Sequence, residues 1–299
     1  MRVDSTTARI LDGPSRRRIL TGGAAALALA LASAPFGRSA AALTATGESS
    51  SPARAGRRVI VNADDLGLCE VVDDGIIDAH AHGIVSSASL LVRAPHAAEA
   101  VRAAARHPSL GLGLHATFSQ GKGWVHDQKN LPAVRRELEQ QMAMFIQLVG
   151  DVPDHLDSHH HTHRAFNLSR VFLEVGARYG IPVRGLSDVT YVGSFYGQWV
   201  YGQTELAHIE ADYLVGLLQK LGPGVSELSC HPARPGSIRD EVYGPARAVE
   251  LKTLTETRVK DALREEGIQL INFGDYLKQA PATTSAEPCR GISATAEPR

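Results

Sequence analysis

Cysteine is scarce in this chain of 299 residues, which contains only Cys69, Cys230 and Cys289. Their spacing matches no metal or redox motif, and an odd number of cysteines gives no disulfide framework. We therefore expect Cys69 and Cys230 to be small core residues. An excess of charge of one sign is also missing, since 31 Lys and Arg residues face 32 Asp and Glu residues. No basic stripe is present, so nucleic acid is not expected as a partner.

Several familiar site motifs are missing as well. The chain has no phosphate-cradling lysine loop, no His-Glu-x-x-His pair and no serine in a nucleophile elbow. The stretch Gly111–Ala116 matches a loose dinucleotide-binding pattern, but it lies inside a predicted strand and no helix starts from it. The chemistry of this chain must therefore be carried by other residues.

The N-terminus has the composition of an export signal. A basic segment with paired arginines, Ser15–Leu20, precedes a short apolar run, Thr21–Ala34, and a small-residue cleavage site, Ser39–Ala42. This order predicts a twin-arginine signal peptide over 1–42. The mature protein would then be periplasmic, cell-wall-associated or extracellular, with no membrane anchor. A general secretory signal and an uncleaved anchor are the alternatives, although the apolar run is short for a membrane span.

Composition divides the rest of the chain into three parts. Residues 43–56 are rich in Thr, Ser, Ala and Gly and are predicted to be a flexible linker. Residues 280–299 are rich in Ala, Pro, Thr, Ser and Glu and are predicted to be a disordered tail. The segment 57–279 is long enough to form a single domain with a sizeable core.

Strand-like and helix-like segments alternate along this domain. Strands are predicted over Arg58–Asn62, Val85–Val92, Leu110–Ala116, His155–His161, Pro182–Gly185, Ser226–Cys230 and Ile268–Phe273. Helices are predicted over Asp73–Ala81, Ala97–Arg106, Leu131–Val149, Leu168–Tyr179, Glu205–Leu221 and Ala246–Glu266. Such alternation indicates an α/β fold with a parallel sheet. Roughly seven βα units in one domain favour a TIM-like barrel over an open sheet.

Aspartate and histidine recur where the predicted strands end. They are Asp64, Asp65, His115, Asp157, His159 and His231. A single Asp after a strand is often only a helix cap, and a lone His is often structural. Asp or His at four separate strand ends is harder to explain as capping or packing. Parallel barrels place their catalytic residues at the carboxyl ends of the strands.

The most concentrated of these signals is a histidine-rich stretch. Asp157, His159, His161 and His163 follow one another at two-residue spacing. Along a strand, residues two apart point to the same side, so this stretch would aim a carboxylate and several imidazoles at one face. Imidazole and carboxylate are common ligands of catalytic divalent ions. A solvated, His-rich strand edge is the alternative.

Taken together, the motifs resemble the YdjC-like carbohydrate deacetylases, in matching order, over about Arg58 to Leu277. The motifs that carry the resemblance are Asn62-Ala63-Asp64-Asp65-Leu66-Gly67, Gly113-Leu114-His115, His155-Leu156-Asp157-Ser158-His159-His160-His161-Thr162-His163 and Cys230-His231-Pro232. That family is distantly similar to NodB-type polysaccharide deacetylases. The resemblance implies an incomplete or distorted (β/α) barrel and removal of N-acetyl groups from chitooligosaccharide-like sugars.

Carried over residue by residue, the resemblance implies a role for each motif residue. Asp65, His115 and His159 would be the metal ligands. Asp64 would be the general base, and His231 would lie opposite it. Residue chemistry agrees, because one Asp and two His leave positions on a divalent ion open for water and the acetyl oxygen. His231 would protonate the departing amine or stabilise the oxyanion.

Other residues are candidates for support or for substrate binding. Asp157 is expected to orient a histidine. His161 and His163 would contact substrate or metal, or simply be solvated, and these alternatives stay open. Tyr196 and Trp199 lie in an aromatic stretch that suits the apolar faces of a sugar or packs over the barrel mouth.

The cofactor expected here is one divalent metal ion. Mixed Asp and His ligands suit zinc, magnesium, manganese or nickel, and we favour magnesium or zinc. The expected partner is an N-acetylated oligosaccharide, and a homodimer is left open. Two other functions compete: another metal-dependent hydrolase on the same scaffold, such as a phosphoesterase, and a non-catalytic exported sugar-binding module. A pure binder would need no base beside a metal ligand, which argues against the second.

Overall fold

The computed structural model describes residues 56–120, 123–124, 127–200, 203–236 and 243–279. The predicted signal peptide, the linker up to residue 55 and the predicted tail lie outside the described residues, so their assignments stay predictions. Within the described ranges, no helix is both long and apolar enough to cross a membrane.

Nine strands and eight α-helices are found in the described part of the chain. The strands are β1 (Arg57–Leu66), β2 (Ser87–Leu90), β3 (Gly111–Ala116), β4 (Ser119–Gln120), β5 (Gly123–Trp124), β6 (Leu156–Ser158), β7 (Thr190–Val192), β8 (Gly224–Cys230) and β9 (Gln269–Leu270). The helices are α1 (Glu70–His82), α2 (Ala97–Ala104), α3 (Leu131–Val149), α4 (Ser169–Tyr179), α5 (Ala211–Gln219), α6 (Gly244–Thr255), α7 (Thr257–Glu265) and α8 (Phe273–Gln279). Two short 3₁₀ turns, His159–Arg164 and Leu206–His208, complete the set.

The main sheet is parallel, with the strand order β6-β3-β2-β1-β8-β7. The short strand β9 pairs with the first residues of β1. Beyond β6, an isolated parallel bridge joins Leu156 to Val183. The strand positions therefore run in chain order around a ring that returns to its start, because β8 pairs with β1.

The ring is open at one place. Within the described residues, no strand pairing links Val183 to β7, which begins seven residues later at Thr190. The sheet is nevertheless curled, as the contacts of Arg184 show. Its guanidinium contacts both Asp157 on β6 and Glu227 on β8. These two strands are far apart in the strand order, so both can reach one group only around a curved sheet. The predicted incomplete, TIM-like α/β barrel in a single domain is confirmed.

The faces of the central strand show where the core lies. Val59, Val61 and Ala63 on β1 point outward into the main apolar cluster that the helices cover. The alternate residues Ile60, Asn62 and Asp64 are equally buried. Ile60 joins a small apolar cluster that includes Phe273. The inward face of β1 thus changes from apolar to polar towards its carboxyl end.

Helix α3 has the predicted bounds because both its ends are marked in the sequence. The Asn130 side chain accepts a hydrogen bond from the N–H of Ala133 at 3.2 Å and caps the first turn. Gly150, with φ of 88°, takes the left-handed conformation that ends the helix.

Several predicted elements were wrong in extent. The predicted strand His155–His161 ends at Ser158, because His160 and His161 have φ of 55° and 52° and turn the chain. The predicted strand Pro182–Gly185 is reduced to the bridge at Val183, and β7 was missed. Extended backbone at Glu210 and Glu256 shortens or divides the two long C-terminal helices. The last predicted strand keeps only β9, since Phe273 begins α8.

Candidate active site

The polar strand ends meet at one end of the barrel. Asp64 and Asp65 lie near the end of β1, and His115 lies near the end of β3. Asp157 is on β6. His159 follows β6 directly, and His231 follows β8. The carboxyl ends of parallel strands share one edge of a barrel, and this is why residues up to 167 positions apart converge here.

Asp65, His115 and His159 form a group that could hold a metal ion. The Asp65 Oδ1 atom lies 3.3 Å from Nε2 of His115 and 3.0 Å from Nδ1 of His159. Asp65 has φ of 73°, a strained backbone conformation for a residue with a side chain. Its Oδ1 atom is buried and has no hydrogen-bond partner among the described residues. An unpartnered carboxylate oxygen facing two imidazole nitrogens fits a divalent cation.

Asp157 holds His115 from behind. Its Oδ1 atom lies 2.6 Å from Nδ1 of His115, so the Nδ1–H donates to the carboxylate and Nε2 is turned towards Asp65. Burial would lower the pKa of His115, but the charges of Asp157 and Asp64 outweigh burial and raise this pKa to about 10. The orienting role expected of Asp157 thus has its geometry, with His115 rather than His159 as its partner.

A second group, Asp64, His115 and Asp157, also has its ligand atoms within 4.8 Å of one another. The Arg184 guanidinium already supplies a positive charge there, at 2.7 Å from both Asp64 oxygens and from Oδ2 of Asp157. His115 uses its Nδ1 atom on Asp157, so this nitrogen is not free for an ion. The group of Asp65, His115 and His159 is therefore the better candidate metal site.

Asp64 is fixed as an ionised carboxylate. Burial raises its pKa, but the paired Arg184 guanidinium and nearby His115 outweigh burial and hold the pKa well below its usual range. Asn62 donates to Oδ1 at 3.0 Å, and Ser89 donates to the same atom at 3.3 Å. The Oδ2 atom also lies 3.7 Å from Nε2 of His231. Asp64 is therefore unprotonated at neutral pH, and it lies next to both Asp65 of the candidate metal group and His231.

His231 is held by Glu250 on α6. The Glu250 Oε2 atom accepts the backbone N–H of His231 at 2.5 Å and lies 4.0 Å from its Nδ1 atom. Tyr243 donates its hydroxyl to Oε1 of Glu250 at 3.2 Å. Burial raises the pKa of Glu250 to about 8 and lowers the pKa of His231 to about 3. At neutral pH this pair therefore holds its proton on the carboxyl group.

Helix α6 also reaches the candidate metal group. Arg247 is buried and donates from Nη2 to Oδ2 of Asp65 at 2.6 Å. Burial raises the pKa of Asp65, but the Arg247 guanidinium and the imidazole of His159 outweigh it, so this pKa stays well below its usual range. Asp65 is thus clamped on one oxygen while its other oxygen faces the histidines.

The structure separates the remaining histidines of the stretch, contrary to the expectation that all would share one strand face. His163 is buried. The Ser158 hydroxyl contacts its Nδ1 atom at 2.8 Å, and its Nε2–H donates to the Arg184 carbonyl at 3.1 Å. His161 is partly exposed, and its Nε2 atom contacts the Tyr191 hydroxyl at 3.2 Å. Burial lowers the pKa of His161 to about 4 and that of His163 to about 3. His163 therefore supports the turn, while His161 borders the site.

Of the two predicted aromatic candidates, Tyr196 lies beside His231 and Trp199 lies beside Tyr196. The ring of Tyr196 is 5.5 Å from the His231 ring, and the ring of Trp199 is 6.2 Å from Tyr196. Trp199 is 52% exposed, although a large aromatic ring usually buries more of its surface. The aromatic stretch thus forms a wall that runs from the candidate site out to solvent.

Three charged residues of the site were missed in the sequence. They are Arg184, Arg247 and Glu250, and all are buried. Arg184 had a detectable signal, because it interrupts the apolar run Ile181–Val183 with a charge. Arg247 and Glu250 are three residues apart and share one helix face. Charged residues usually lie on the exposed face of a helix, as Lys252 does in the same helix, so the sequence does not mark this face as buried.

Sequence comparison finds curated relatives that match most of the chain. A carbohydrate deacetylase from Geobacillus stearothermophilus is 31% identical over 256 residues, which cover 74% of this chain and 99% of the relative. A chitooligosaccharide deacetylase from Proteus mirabilis is 29% identical, over 73% of this chain and 98% of its own length.

Among solved structures, one from Enterococcus faecalis, described as a candidate cellobiose-phosphate cleavage protein, has a TM-score of 0.65 and 27% identity. The match covers 74% of this chain and 99% of that one. The family model described as YdjC-like protein matches residues 58–265, which include every residue of the candidate site. The predicted resemblance is confirmed, and the chain belongs to the YdjC-like protein family.

Proposed function

We infer that this protein is a carbohydrate deacetylase, and we propose that it hydrolyses the N-acetyl group of amino-sugar oligosaccharides with one divalent metal ion, magnesium or zinc. The observation that carries the proposal is the position of Asp64. It lies next in sequence to Asp65 of the candidate metal group, and its Oδ2 atom is 3.7 Å from Nε2 of His231. A base and a proton donor thus flank one point beside the metal ligands, as amide hydrolysis requires.

Each residue has a distinct task in this proposal. Asp65, His115 and His159 would hold the ion, which would lower the pKa of water and polarise the acetyl carbonyl. Asp64 would take the proton from the attacking water. The Arg184 guanidinium holds the pKa of Asp64 well below its usual range, so this carboxylate is free of a proton at neutral pH. Proton transfer to it would depend on the ion lowering the pKa of the attacking water.

The departing amine needs a proton, and His231 with Glu250 would provide it. The pKa of His231, which burial lowers to about 3, leaves the imidazole neutral, whereas burial raises the pKa of Glu250 to about 8. Glu250 would therefore store the proton, and the imidazole would pass it on to the nitrogen that leaves.

The substrate class rests on relatives and on the aromatic wall. Curated relatives are named carbohydrate and chitooligosaccharide deacetylases. Tyr196 lies beside His231 and Trp199 beside Tyr196, and aromatic rings suit the apolar faces of sugar rings. We propose a chitooligosaccharide-like substrate and an exported mature protein, produced by cleavage of a twin-arginine signal peptide over 1–42.

Acetate release tests this function. The probes are diacetylchitobiose and longer N-acetyl oligosaccharides, with a phosphomonoester and a phosphodiester alongside, each assayed after EDTA treatment and after adding back metal. We expect acetate only in the presence of metal and no phosphoester turnover. Phosphate release without acetate release would overturn the proposal in favour of a phosphoesterase. Binding of the oligosaccharide with no product from metal-loaded protein would indicate a binding module.

A further inference from the structure

We propose that Glu227 is a positioning residue that orients Arg184, and through it the base Asp64. This inference rests on the proposed function, because Asp64 has a task only in that reaction. Glu227 lies on β8, four residues before His231, and pairs in register with Ile60, four residues before Asp64. It therefore lies deeper in the barrel than the residues of the site and cannot touch the substrate. Any contribution it makes must pass through another side chain.

Arg184 is that side chain. Its guanidinium is buried in the barrel and contacts three carboxylates from three strands: Asp64 on β1, Asp157 on β6 and Glu227 on β8. The two Nη atoms each lie 2.7 Å from an oxygen of Asp64, and the Nε atom lies 2.6 Å from Oε1 of Glu227. A guanidinium is a rigid planar fork, so fixing Nε determines where both Nη atoms point.

The other two carboxylates have further partners, but Glu227 does not. Asp157 uses one oxygen on Nδ1 of His115, and Asp64 also accepts from Asn62. Among the described residues, Arg184 is the only hydrogen-bond partner of the Glu227 side chain, and its Oε2 atom has none. A fully buried carboxylate with one contact is costly. Its single contact is the one that aims Arg184 at Asp64.

Two substitutions separate positioning from simple charge balance. Glu227→Gln keeps an oxygen within reach of the Nε–H and loses the charge. Glu227→Asp keeps the charge, but its shorter side chain cannot reach. If Glu227 positions Arg184, kcat should fall about 100-fold in Glu227→Asp, the effect of a small misplacement in a catalytic group, and much less in Glu227→Gln. KM should stay unchanged in both when kcat is measured with saturating metal, because Glu227 does not touch the substrate.

A spectroscopic readout follows Arg184 itself. The Nε–H signal of Arg184 in ¹⁵N NMR, assigned by its loss in Arg184→Lys, should be protected from exchange in the wild type and in Glu227→Gln. In Glu227→Asp it should be broadened or lost. The matched control is Glu266, which pairs with Arg57 at 3.1 Å at the opposite end of β1. Glu266→Asp and Glu266→Gln should leave kcat and the Arg184 signal unchanged.

The opposite ranking would overturn the proposal. If Glu227→Gln loses turnover while Glu227→Asp keeps it, Glu227 only balances charge. Wild-type kcat in both folded variants would equally overturn it. A wild-type protein that releases no acetate from any probe would defeat the proposed function instead. The NMR comparison would then still decide whether Glu227 holds Arg184.

Discussion

His115 carries a proton when no ion is bound, because the charges of Asp157 and Asp64 raise its pKa to about 10 against the effect of burial. A cation that takes Nε2 must therefore displace a proton, and its affinity should rise with pH up to that value. Asp157 has two effects on this equilibrium. It holds the ring in the orientation that presents Nε2, and it makes the imidazole a stronger ligand.

Asp157→Asn should weaken metal binding by about 10- to 100-fold, the usual effect of losing an orienting carboxylate. Competition with a chromophoric chelator measures the affinity directly. The control is Asp154→Asn, which alters a similar Asp–His contact, 2.5 Å from Asp154 Oδ1 to His155 Nδ1, away from the site. Equal metal affinity in the wild type and Asp157→Asn would contradict the role assigned to Asp157.

The pair of Glu250 and His231 predicts a pH dependence. Because burial raises the pKa of Glu250 to about 8, the carboxyl group is protonated below that pH and loses its proton above it. The proton for the leaving amine is then present at low pH and missing at high pH, so kcat should fall as pH rises through about 8.

Glu250→Gln cannot titrate, but its side chain can still accept the His231 backbone N–H. We expect a lower kcat throughout and no fall centred near pH 8. Turnover measured between about pH 6 and pH 10 tests this expectation. An identical basic limb in the wild type and the variant would show that another group donates the proton.

The sequence predicts some residues of the candidate site and not others. Asp64, Asp65, His115, His159 and His231 could be predicted to meet because each lies at or just after the carboxyl end of a strand, and parallel strands share an edge. Arg184 could not be placed, because it lies 120 residues from Asp64 and contacts it only through the curl of the sheet. Local patterns contain no information about such a contact.

At the level of elements, the turn after β6 decides which histidines face the site. The two-residue spacing favours a strand through His161, but the hydrogen bonds of Ser158 compete with it. Its hydroxyl accepts the N–H of His163 at 2.9 Å and the hydroxyl of Thr162 at 2.8 Å. Such side-chain bonds to nearby backbone favour turns over strands. His159 therefore keeps its predicted place near Asp65, His161 borders the site beside Tyr191, and His163 is turned away into the turn.

Helix α1 packs tightly against the segment that follows His231. A methyl group on Gly75 would lie 2.4 Å from the Cα atom of Ala233. Gly75→Ala should therefore push the segment away, destabilise the fold by about 1–3 kcal/mol and lower kcat by displacing His231. Thermal unfolding and acetate release measure the two effects.

Gly216 in α5 provides the matched control for this substitution. Beyond the backbone of its own helix, a methyl group there meets no atom of the described residues within 4 Å. Gly216→Ala should therefore stabilise the helix by up to about 1 kcal/mol and leave kcat unchanged. If Gly75→Ala had wild-type stability and turnover, the close packing of α1 on the His231 segment would be irrelevant to the site.

At the scale of the whole molecule, the barrel places its opening and its chemistry by long-range pairing. The pairing of β8 with β1 joins segments more than 160 residues apart and brings His231 beside Asp64. The sequence indicates the number of units and their polar ends. The position of the gap, between Val183 and β7, depends on which edge strands find partners, and this cannot be inferred from the local pattern of apolar residues.

The proposed export also concerns the whole chain. If 1–42 is a twin-arginine signal, replacing both Arg16 and Arg17 with Lys should retain the precursor in the cytoplasm, because that route reads the arginine pair. Cell fractionation of a bacterial host measures the location. Arg18→Lys is the matched control and should be exported normally. Normal export of the double variant would indicate a general secretory signal instead.

The proposed roles of Asp64 as general base and Asp65 as metal ligand are tested by comparing Asp64→Asn with Asp65→Ala. Bound metal and acetate release from N-acetyl oligosaccharides are measured for both variants. We predict that Asp64→Asn binds metal like the wild type but loses about 10²- to 10⁴-fold in turnover, as expected when a general base is removed. Asp65→Ala should lose metal and activity together. Near-normal turnover in metal-loaded Asp64→Asn would show that Asp64 is not the general base.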